Sequence, residues 1–260
     1  MNGRQLLGRD AGPISARNSS KGALLQEAHA VFRELSAGKD LADIRFACLT
    51  GKLLRQSAMQ TRRMIWQSLD WRYFAWNPPK WVLADLAEAG KADSSDRTFT
   101  GLAYLHYARR DRLTFDFVTE KLWPLWTSGA RDIRRADVTD FLGELTDGQP
   151  SKWRESTRTK LAGNVLSALR DFGLLTGVQR KRLQQPVVAP PVALHLCRLL
   201  DAEGLRGRAL LEARDWRLFF WDIQDTSQAL SQLSQSGELS FERSGRTVIL
   251  DVPRHPLGGD

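Results

Sequence analysis

The sequence has few residues of the kinds that bind metals or form disulfides. It contains two cysteines, Cys48 and Cys197, and four histidines in 260 residues. No two histidines have the i,i+4 spacing with which one helix presents two metal ligands, and His195 and Cys197 are two residues apart, so they point away from each other on a helix. We therefore expect buried, reduced cysteines, no metal site and no cofactor.

Long apolar runs are also missing. No stretch approaches the roughly 18 apolar residues that a membrane-spanning helix needs. Residues 1–20 contain no apolar core of signal-peptide length. We expect a cytoplasmic protein without a membrane segment.

Motifs for catalysis are not recognisable. Gly51-Lys52 is not preceded by a glycine-rich loop and is followed by Leu53, so no phosphate-binding loop is expected. Ser36 and Lys39 match a Ser-x-x-Lys pattern, but they lie at a predicted helix end without the other motifs of that enzyme class. We expect no catalytic residues and a protein that is not an enzyme.

Acidic residues are the minority among the charged ones. There are 38 Lys and Arg against 30 Asp and Glu, a formal net charge of +8. This excess favours an anionic partner, most commonly the phosphate backbone of a nucleic acid. Residues 1–70 hold 11 basic and 6 acidic residues, and residues 151–185 hold 8 and 2, whereas the stretches 71–150 and 186–260 are slightly acidic.

Apolar residues recur at three- and four-residue spacing through most of the chain, which is typical of amphipathic helices. Asp40 is a predicted N-cap, and Gly173 is predicted to end the helix with the clearest apolar stripe. That stripe consists of Leu161, Ala162, Val165, Leu166, Leu169 and Phe172. The pattern predicts an all-α protein, mainly a helical bundle.

The turn cluster 147–150, with the sequence DGQP, marks the predicted domain boundary. It separates an N-terminal helical domain, residues 21–148, from a C-terminal helical domain, residues 149–255. Residues 1–20 are predicted to be a flexible N-terminal tail.

The end of the chain predicts a small β-hairpin. Residues 238–242 and 247–250 alternate around Ser244-Gly245, a two-residue hairpin signal. Helices followed by a terminal hairpin predict a winged-helix-like C-terminal part, with Arg243 and Arg246 beside the tip of the wing. The preceding helix, residues 227–236, carries no Lys or Arg, which favours a protein as its partner.

One stretch of 31 residues, 152–182, is almost unopposed by acid, since only Glu155 and Asp171 intervene. Its basic residues are Lys152, Arg154, Arg158, Lys160, Arg170, Arg180, Lys181 and Arg182, the last three in a predicted polar connector. Contacts from these side chains to phosphates would give sequence-independent, salt-sensitive binding. Arg62, Arg63, Arg243 and Arg246 extend the predicted DNA-binding set; a solvated helix face is the alternative interpretation.

Aromatic residues are dense in the 16 residues from 66 to 81. They are Trp66, Trp71, Tyr73, Phe74, Trp76 and Trp81. Their helical spacing favours packing in the core, and stacking on unpaired bases is the alternative.

Four segments carry a family resemblance: LLQEAHAVFREL, FDFVTEKLWPLW, KWRESTRTKLAGNVLSALRDFGLL and DWRLFFWDIQDTSQALSQLSQSGELSFERSGRTVIL. Together, over residues 21–252, they resemble the BrxA family of BREX bacteriophage-exclusion systems. The resemblance implies a mainly helical, non-enzymatic, cytoplasmic component of a phage-defence system that binds double-stranded DNA. The N-terminal helices also resemble the bundle of the NusB antitermination factor, which leaves RNA open as a ligand.

We therefore expect a non-enzymatic BREX component that binds duplex DNA largely without sequence specificity. The first alternative is a scaffold that contacts other BREX subunits through the acidic, winged C-terminal part. The second is an RNA-binding helical protein.

Overall fold

The computed structural model describes residues 7–10, 12–19, 21–93, 97–145 and 152–257. In the first part of the chain the helices are α1 (Leu25–Ser36), α2 (Leu41–Thr50), α3 (Met59–Tyr73), α4 (Lys80–Ala89) and α5 (Arg97–Arg110). The predicted N-cap of α2 is confirmed, because the Asp40 side chain accepts a hydrogen bond of 2.8 Å from Asp43 N.

The second part of the chain adds shorter helices and the strands. The helical segments are α6 (Arg112–Asp116), a π-helical turn (Phe117–Leu122), α7 (Trp123–Thr127), α8 (Arg135–Glu144), α9 (Glu155–Asp171), α10 (Pro190–Ala202), α11 (Gly207–Leu211) and α12 (Ile223–Gln235). The strands are β1 (Asp132–Ile133), β2 (Leu175–Thr176), β3 (Lys181–Leu183), β4 (Ser240–Ser244) and β5 (Thr247–Asp251). The predicted fold class is confirmed, since the fold is mainly helical and ends in a small antiparallel hairpin.

Helix α5 lies at the centre of the helical body. It packs against α1, α3, α4, α6 and α10, and every residue from Leu102 to Arg109 is buried. A helix that is buried all round needs a small residue where a neighbour comes closest. Gly101 is that residue, because a Cβ atom there would lie 2.8 Å from Val192 Cγ2 of α10.

The aromatic residues between 66 and 81 mostly belong to the core, as their spacing favoured. Trp66, Tyr73, Phe74 and Trp81 are buried. Trp66 and Phe74 stack on each other with ring centroids 6.0 Å apart. These rings therefore stabilise the helical body, and base stacking is open only to the half-buried Trp71 and Trp76.

The two cysteines are free and buried, as predicted. Burial raises the pKa of the Cys48 thiol to about 12, and it raises the pKa of Cys197 as well. Both thiols are therefore protonated at neutral pH and do not act as nucleophiles.

A three-stranded antiparallel sheet in the order β1-β3-β2 is a difference from the predicted fold. Its central strand is β3, in which Arg182 lies opposite Asp132 of β1 and Thr176 of β2. The prediction of a polar connector is therefore wrong for Lys181 and Arg182, which belong to β3, whereas Arg180 lies in the turn before the strand. Strands of two or three residues are too short to show the alternation by which a strand is recognised in sequence.

The C-terminal hairpin forms as predicted, with its turn displaced by one residue. Ser244 pairs with Thr247, so the turn residues are Gly245 and Arg246 and not Ser244-Gly245. Gly245 has φ +58°, a conformation that glycine adopts without strain. The hairpin packs against α11 and α12. Its comparison with a winged helix stays a prediction.

The described residues before α1 lie against the helical body, although the sequence predicted a flexible tail there. Leu7 donates its N–H to Glu203 Oε1 at 2.9 Å and accepts a hydrogen bond of 2.9 Å from Arg109. Buried Asn18 accepts a hydrogen bond of 2.9 Å from the guanidinium of Arg72. The cluster at 147–150 lies outside the described residues, so the division into three parts stays a prediction.

Candidate nucleic-acid interface

Antiparallel pairing of β1 with β3 brings two separate basic segments together. Strand β1 follows Arg131 and leads directly into Arg134 and Arg135 at the start of α8. Asp132 of this strand lies opposite Arg182 of β3. Arg134, Arg135 and Arg182 are all exposed, so three arginines from two distant parts of the sequence face solvent near one edge of the sheet.

Helix α8 also packs against α9, which adds the outer side of α9 to this region. The Nε atom of Arg135 lies 3.9 Å from the position that a Cβ atom would take at Gly163. Residues 160, 163, 167 and 170 recur at helical spacing, so Lys160 and Arg170 are on the same side of α9 as Gly163. We call the resulting set the basic surface: Arg134, Arg135, Lys160, Arg170, Arg180 and Arg182. Arg131 is not part of it, because it is half-buried and donates to the carbonyls of Trp126 and Ala130.

Carboxylates within the basic surface make only loose, exposed pairs. Arg182 Nε is 3.7 Å from Asp132 Oδ1, and both side chains are more than half exposed. Arg170 Nη2 lies 2.9 Å from Oδ1 of its neighbour Asp171. Exposed ion pairs contribute about 0–1 kcal/mol, so these arginines can exchange a carboxylate for a phosphate at little cost.

The other predicted residues of α9 lie at its far end or point inward. Lys152 and Arg154 are exposed before the first turn of the helix. Arg170 is 16 residues beyond Arg154, which corresponds to about 24 Å along the axis. Arg158 is half-buried because it shares a side of the helix with Leu161 and Ala162.

Lys181 and Arg62 donate to main-chain carbonyls. Lys181 Nζ lies 2.6 Å from Val178 O. Arg62 donates to the carbonyls of Leu49, Gln56 and Ser57 at 2.6–3.0 Å, so its guanidinium holds the loop between α2 and α3.

The remaining three predicted residues lie on other elements. Arg63 is exposed on α3. Arg243 of the hairpin donates to Ser227 Oγ at 2.8 Å, and Arg246 is exposed in the turn. The structure therefore forms the basic surface from α8, α9 and the three-stranded sheet, to which these residues do not belong.

Arg134 and Arg135 were not among the residues predicted from the sequence. With Arg131 they make three arginines within five residues, which is a visible local signal. A charge count over the long stretch 71–150 does not reveal them, because that stretch has 11 basic and 12 acidic residues. A window of about one helical turn would have found them.

A second cluster, which was not predicted from the sequence either, lies between α4, α5, α10 and the C-terminal segment. His195 Nδ1 lies 2.6 Å from Asp85 Oδ2, and His195 Nε2 lies 3.0 Å from His106 Nε2. His255 Nε2 lies 3.2 Å from Asp85 Oδ1. A carboxylate only accepts, so neutral His195 carries its proton on Nδ1 and accepts at Nε2 from the N–H of His106. We call these four residues the histidine chain.

Burial sets the charges in the histidine chain. It lowers the pKa of His106 well below its ordinary value and lowers that of His195. Burial alone would raise the pKa of Asp85, but the hydrogen bond from His195 and nearby positive charges hold that pKa below its ordinary value. Asp85 is therefore ionised and both buried histidines are neutral at pH 7.

A third cluster is a buried ion network around Arg109. Its guanidinium contacts the carboxylates of both Glu203 and Asp215, and all three side chains are almost completely buried. Arg9 lies 3.8 Å from Asp215 on the outer side. We call Arg109, Glu203 and Asp215 the buried ion network; it joins α5 to two segments near the C-terminus.

Within the described residues, no group of three or more His, Cys, Asp or Glu side chains is arranged to hold a metal ion. In the same part of the chain, no helix combines the length and apolarity needed to cross a membrane.

Comparison with known families decides what kind of protein this is. The BrxA family model matches residues 14–199. The chain belongs to the BrxA family. It is therefore a component of a BREX phage-defence system. The match to BrxA includes the whole of the basic surface and ends inside α10, so the C-terminal segment quoted for the resemblance lies beyond it.

Solved structures similar in fold to this BrxA-family chain include one from a bacterium. It is the crystal structure of an uncharacterized protein from Magnetospirillum magneticum, with a TM-score of 0.59 and 18% sequence identity. The similarity covers 81% of this chain and 100% of the other. No curated protein matches this BrxA-family chain.

Proposed function

We propose that this chain binds duplex DNA without sequence specificity through the basic surface, as a non-enzymatic component of its BREX system. The supporting observation is the pairing of β1 with β3, which collects arginines from residues 134–135 and 180–182 beside the basic side of α9. Arginine donors that face solvent without a strong partner are suited to phosphate oxygens.

The dimensions of α9 agree with a duplex ligand. Arg154 is about 24 Å from Arg170 along the axis of α9, which corresponds to roughly seven base pairs at 3.4 Å per base pair. A duplex along α9 would therefore reach both ends of the helix. Phosphate contacts carry no sequence information, so this arrangement predicts binding that depends on salt more than on sequence.

Reversing the charge of Arg134, Arg135 and Arg182 to Glu should remove most of the DNA binding. Three lost phosphate contacts correspond to at least about a hundredfold lower affinity near 0.1 M salt. They should also lower the slope of log affinity against log salt by about 3. Fluorescence anisotropy with a duplex of about 20 base pairs measures both quantities.

The matched control carries the same charge change on the C-terminal part, with Arg208, Arg217 and Arg254 changed to Glu. All three are exposed, and this variant should lose much less affinity. Equal losses in the two variants would show that only net charge matters and would contradict the proposed surface. Absence of duplex binding by the unchanged chain at any salt would favour the scaffold, and stronger binding of structured RNA would favour the RNA alternative.

Gly177→Ala tests the same surface without changing any charge. Gly177 has φ +79° in the turn between β2 and β3, and a Cβ atom there would lie 2.0 Å from Arg180 O. The turn must open, which displaces Arg180 and Arg182. We expect several-fold weaker duplex binding with the helical content kept in circular dichroism; unchanged affinity would separate the sheet from the DNA site.

In this proposal the C-terminal part is a winged-helix unit that contacts protein. Helix α12, in the position of a recognition helix, has no Lys or Arg, and Arg243 of the wing bonds to Ser227 of α12. The chain itself is proposed to be cytoplasmic and to leave DNA chemically unchanged. Duplex DNA recovered intact after incubation with the chain, Mg²⁺ and ATP is the expected result; cleaved or modified DNA would overturn the non-enzymatic role.

A further inference from the structure

The segment from residue 44 to residue 69 combines positive charge with exposed apolar side chains. It contains five basic residues and no acidic one. Two of the most exposed large apolar residues of the described chain lie in it, Phe46 of α2 at 60% and Met59 of α3 at 57%. Exposed aromatic and apolar groups beside unopposed positive charge indicate a binding surface for an anionic partner with apolar faces.

Helix α3, which packs against α2, presents a row of accessible residues along its outer side. Gln60, Arg63, Met64, Gln67 and Trp71 recur at spacings of three and four residues, and the members are exposed or half-buried. From residue 59 to residue 71 the helix rises about 18 Å. We call this outer side of α3, together with Phe46 and Lys52, the α3 strip.

Each end of the α3 strip pairs an aromatic ring with cations. At one end Lys52 Nζ lies 5.7 Å from the centre of the Phe46 ring. At the other end the guanidinium groups of Arg17 and Arg110 lie 5.1 and 5.2 Å from the centre of the Trp71 ring. A cavity of about 270 Å³ opens beside Trp71, and its lining includes Arg17, Lys21 and Met64 but no carboxylate.

One end of the strip is held in place by Arg62 of α3, which donates to the carbonyls of Leu49 in α2 and of Gln56 and Ser57 in the following loop. These bonds fix α2, which carries Phe46, against the start of α3. The flanking carboxylates are Asp43, one turn before Phe46 on α2, Asp70 near the end of α3, and Asp10, which interacts electrostatically with Arg110.

We propose that the α3 strip binds single-stranded DNA, a second activity that is separate from duplex binding on the basic surface. Unpaired bases offer flat faces that stack on the exposed ring of Phe46, while the phosphates meet Arg63 and the cations beside Trp71. In a duplex the faces of the bases are stacked on one another, so they cannot stack on this ring. A chain that holds duplex DNA meets single-stranded DNA wherever that duplex opens or ends.

The test uses the full chain and a labelled oligo(dT) of about 20 nucleotides, which has no secondary structure. Phe46→Ala should weaken binding at least about fivefold, since losing the stacking on one base lowers affinity by about that factor. Phe46→Tyr, which keeps the ring, should bind normally. The matched control is Ile249→Ala, because Ile249 is 59% exposed, as Phe46 is, but lies on β5; this variant should leave affinity unchanged.

The duplex experiment keeps the two proposals apart. The variant with Arg134, Arg135 and Arg182 changed to Glu should keep most of its oligo(dT) binding, and Phe46→Ala should keep its duplex binding. The proposal fails if the unchanged chain does not bind oligo(dT) at low salt, or if Phe46→Ala and Ile249→Ala behave alike. Tighter binding of oligo(U), or displacement of oligo(dT) by an acidic amphipathic peptide at similar concentration, would overturn the assignment to DNA.

Discussion

Replacing Arg109 with methionine should lower the free energy of unfolding by about 3–5 kcal/mol, the typical cost of removing one partner from a buried ion pair. Methionine fills much of the same volume but leaves Glu203 and Asp215 buried without a counter-charge. Main-chain contacts are lost as well, because the guanidinium also donates to Leu7 O. For a chain of this length the melting temperature should fall by roughly 6–20 °C.

The matched control is Arg208→Met. Arg208 also pairs with a carboxylate, that of Glu212 at 2.7 Å, but both side chains are about half exposed. Its removal should leave the melting temperature almost unchanged, because water already solvates both partners. Adding Glu203→Gln and Asp215→Asn to Arg109→Met should recover part of the loss. Equal effects of Arg109→Met and Arg208→Met in chemical denaturation would contradict the importance of the buried ion network.

Acidification should destabilise the protein steeply between about pH 6.5 and 5, because of the histidine chain. His106 and His195 have a pKa below the ordinary value in the folded state, so they stay neutral there while the unfolded chain takes up protons. Their contribution to stability is therefore complete above pH 6.5 and is lost as the pH falls below it. When the unfolded chain binds two more protons than the folded one, the free energy of unfolding falls by about 2.7 kcal/mol for each pH unit of acidification.

Denaturant unfolding at several pH values measures this slope. His106→Gln should reduce it by about 1.4 kcal/mol per pH unit, since one titrating group is removed. The carboxylates are the same in both proteins, so the difference reports the histidine alone. Nitrogen NMR should show the proton on Nδ1 of His195 and on Nε2 of His106. An unchanged slope, or the opposite tautomers, would contradict the hydrogen-bond order described for the chain.

The helices of the fold were predictable because their signals are local. The stripe from Leu161 to Phe172 and the cap at Asp40 depend on residues within a few positions of one another, and both are found in the structure. The small sheet was not predictable, because β1 and β3 are two or three residues long and pair across about 50 positions. These short strands are stabilised by pairing with one another and by the helices around them, so their own residues show no recognisable strand pattern.

The candidate site was predictable only in part. The basic residues of α9 and β3 stand out in the sequence, whereas the arginines before α8 join them only through strand pairing. The histidine chain gave no signal at all, since Asp85 and His195 are 110 positions apart. Contacts between residues so far apart depend on how the helices pack, and the spacing of residues in the sequence does not reveal that packing.

The contacts of Leu7 also have a consequence for synthesis and folding. Its main chain bonds to Arg109 and to Glu203, and the second partner is 196 positions away. During synthesis the counter-charges of Arg109 are among the later residues to emerge, so α5 cannot complete its burial before they do. A fragment that ends at residue 148 would carry Arg109 into its core without Glu203 and Asp215. Leu7 therefore reaches its final position only after the residues up to Asp215 have been made.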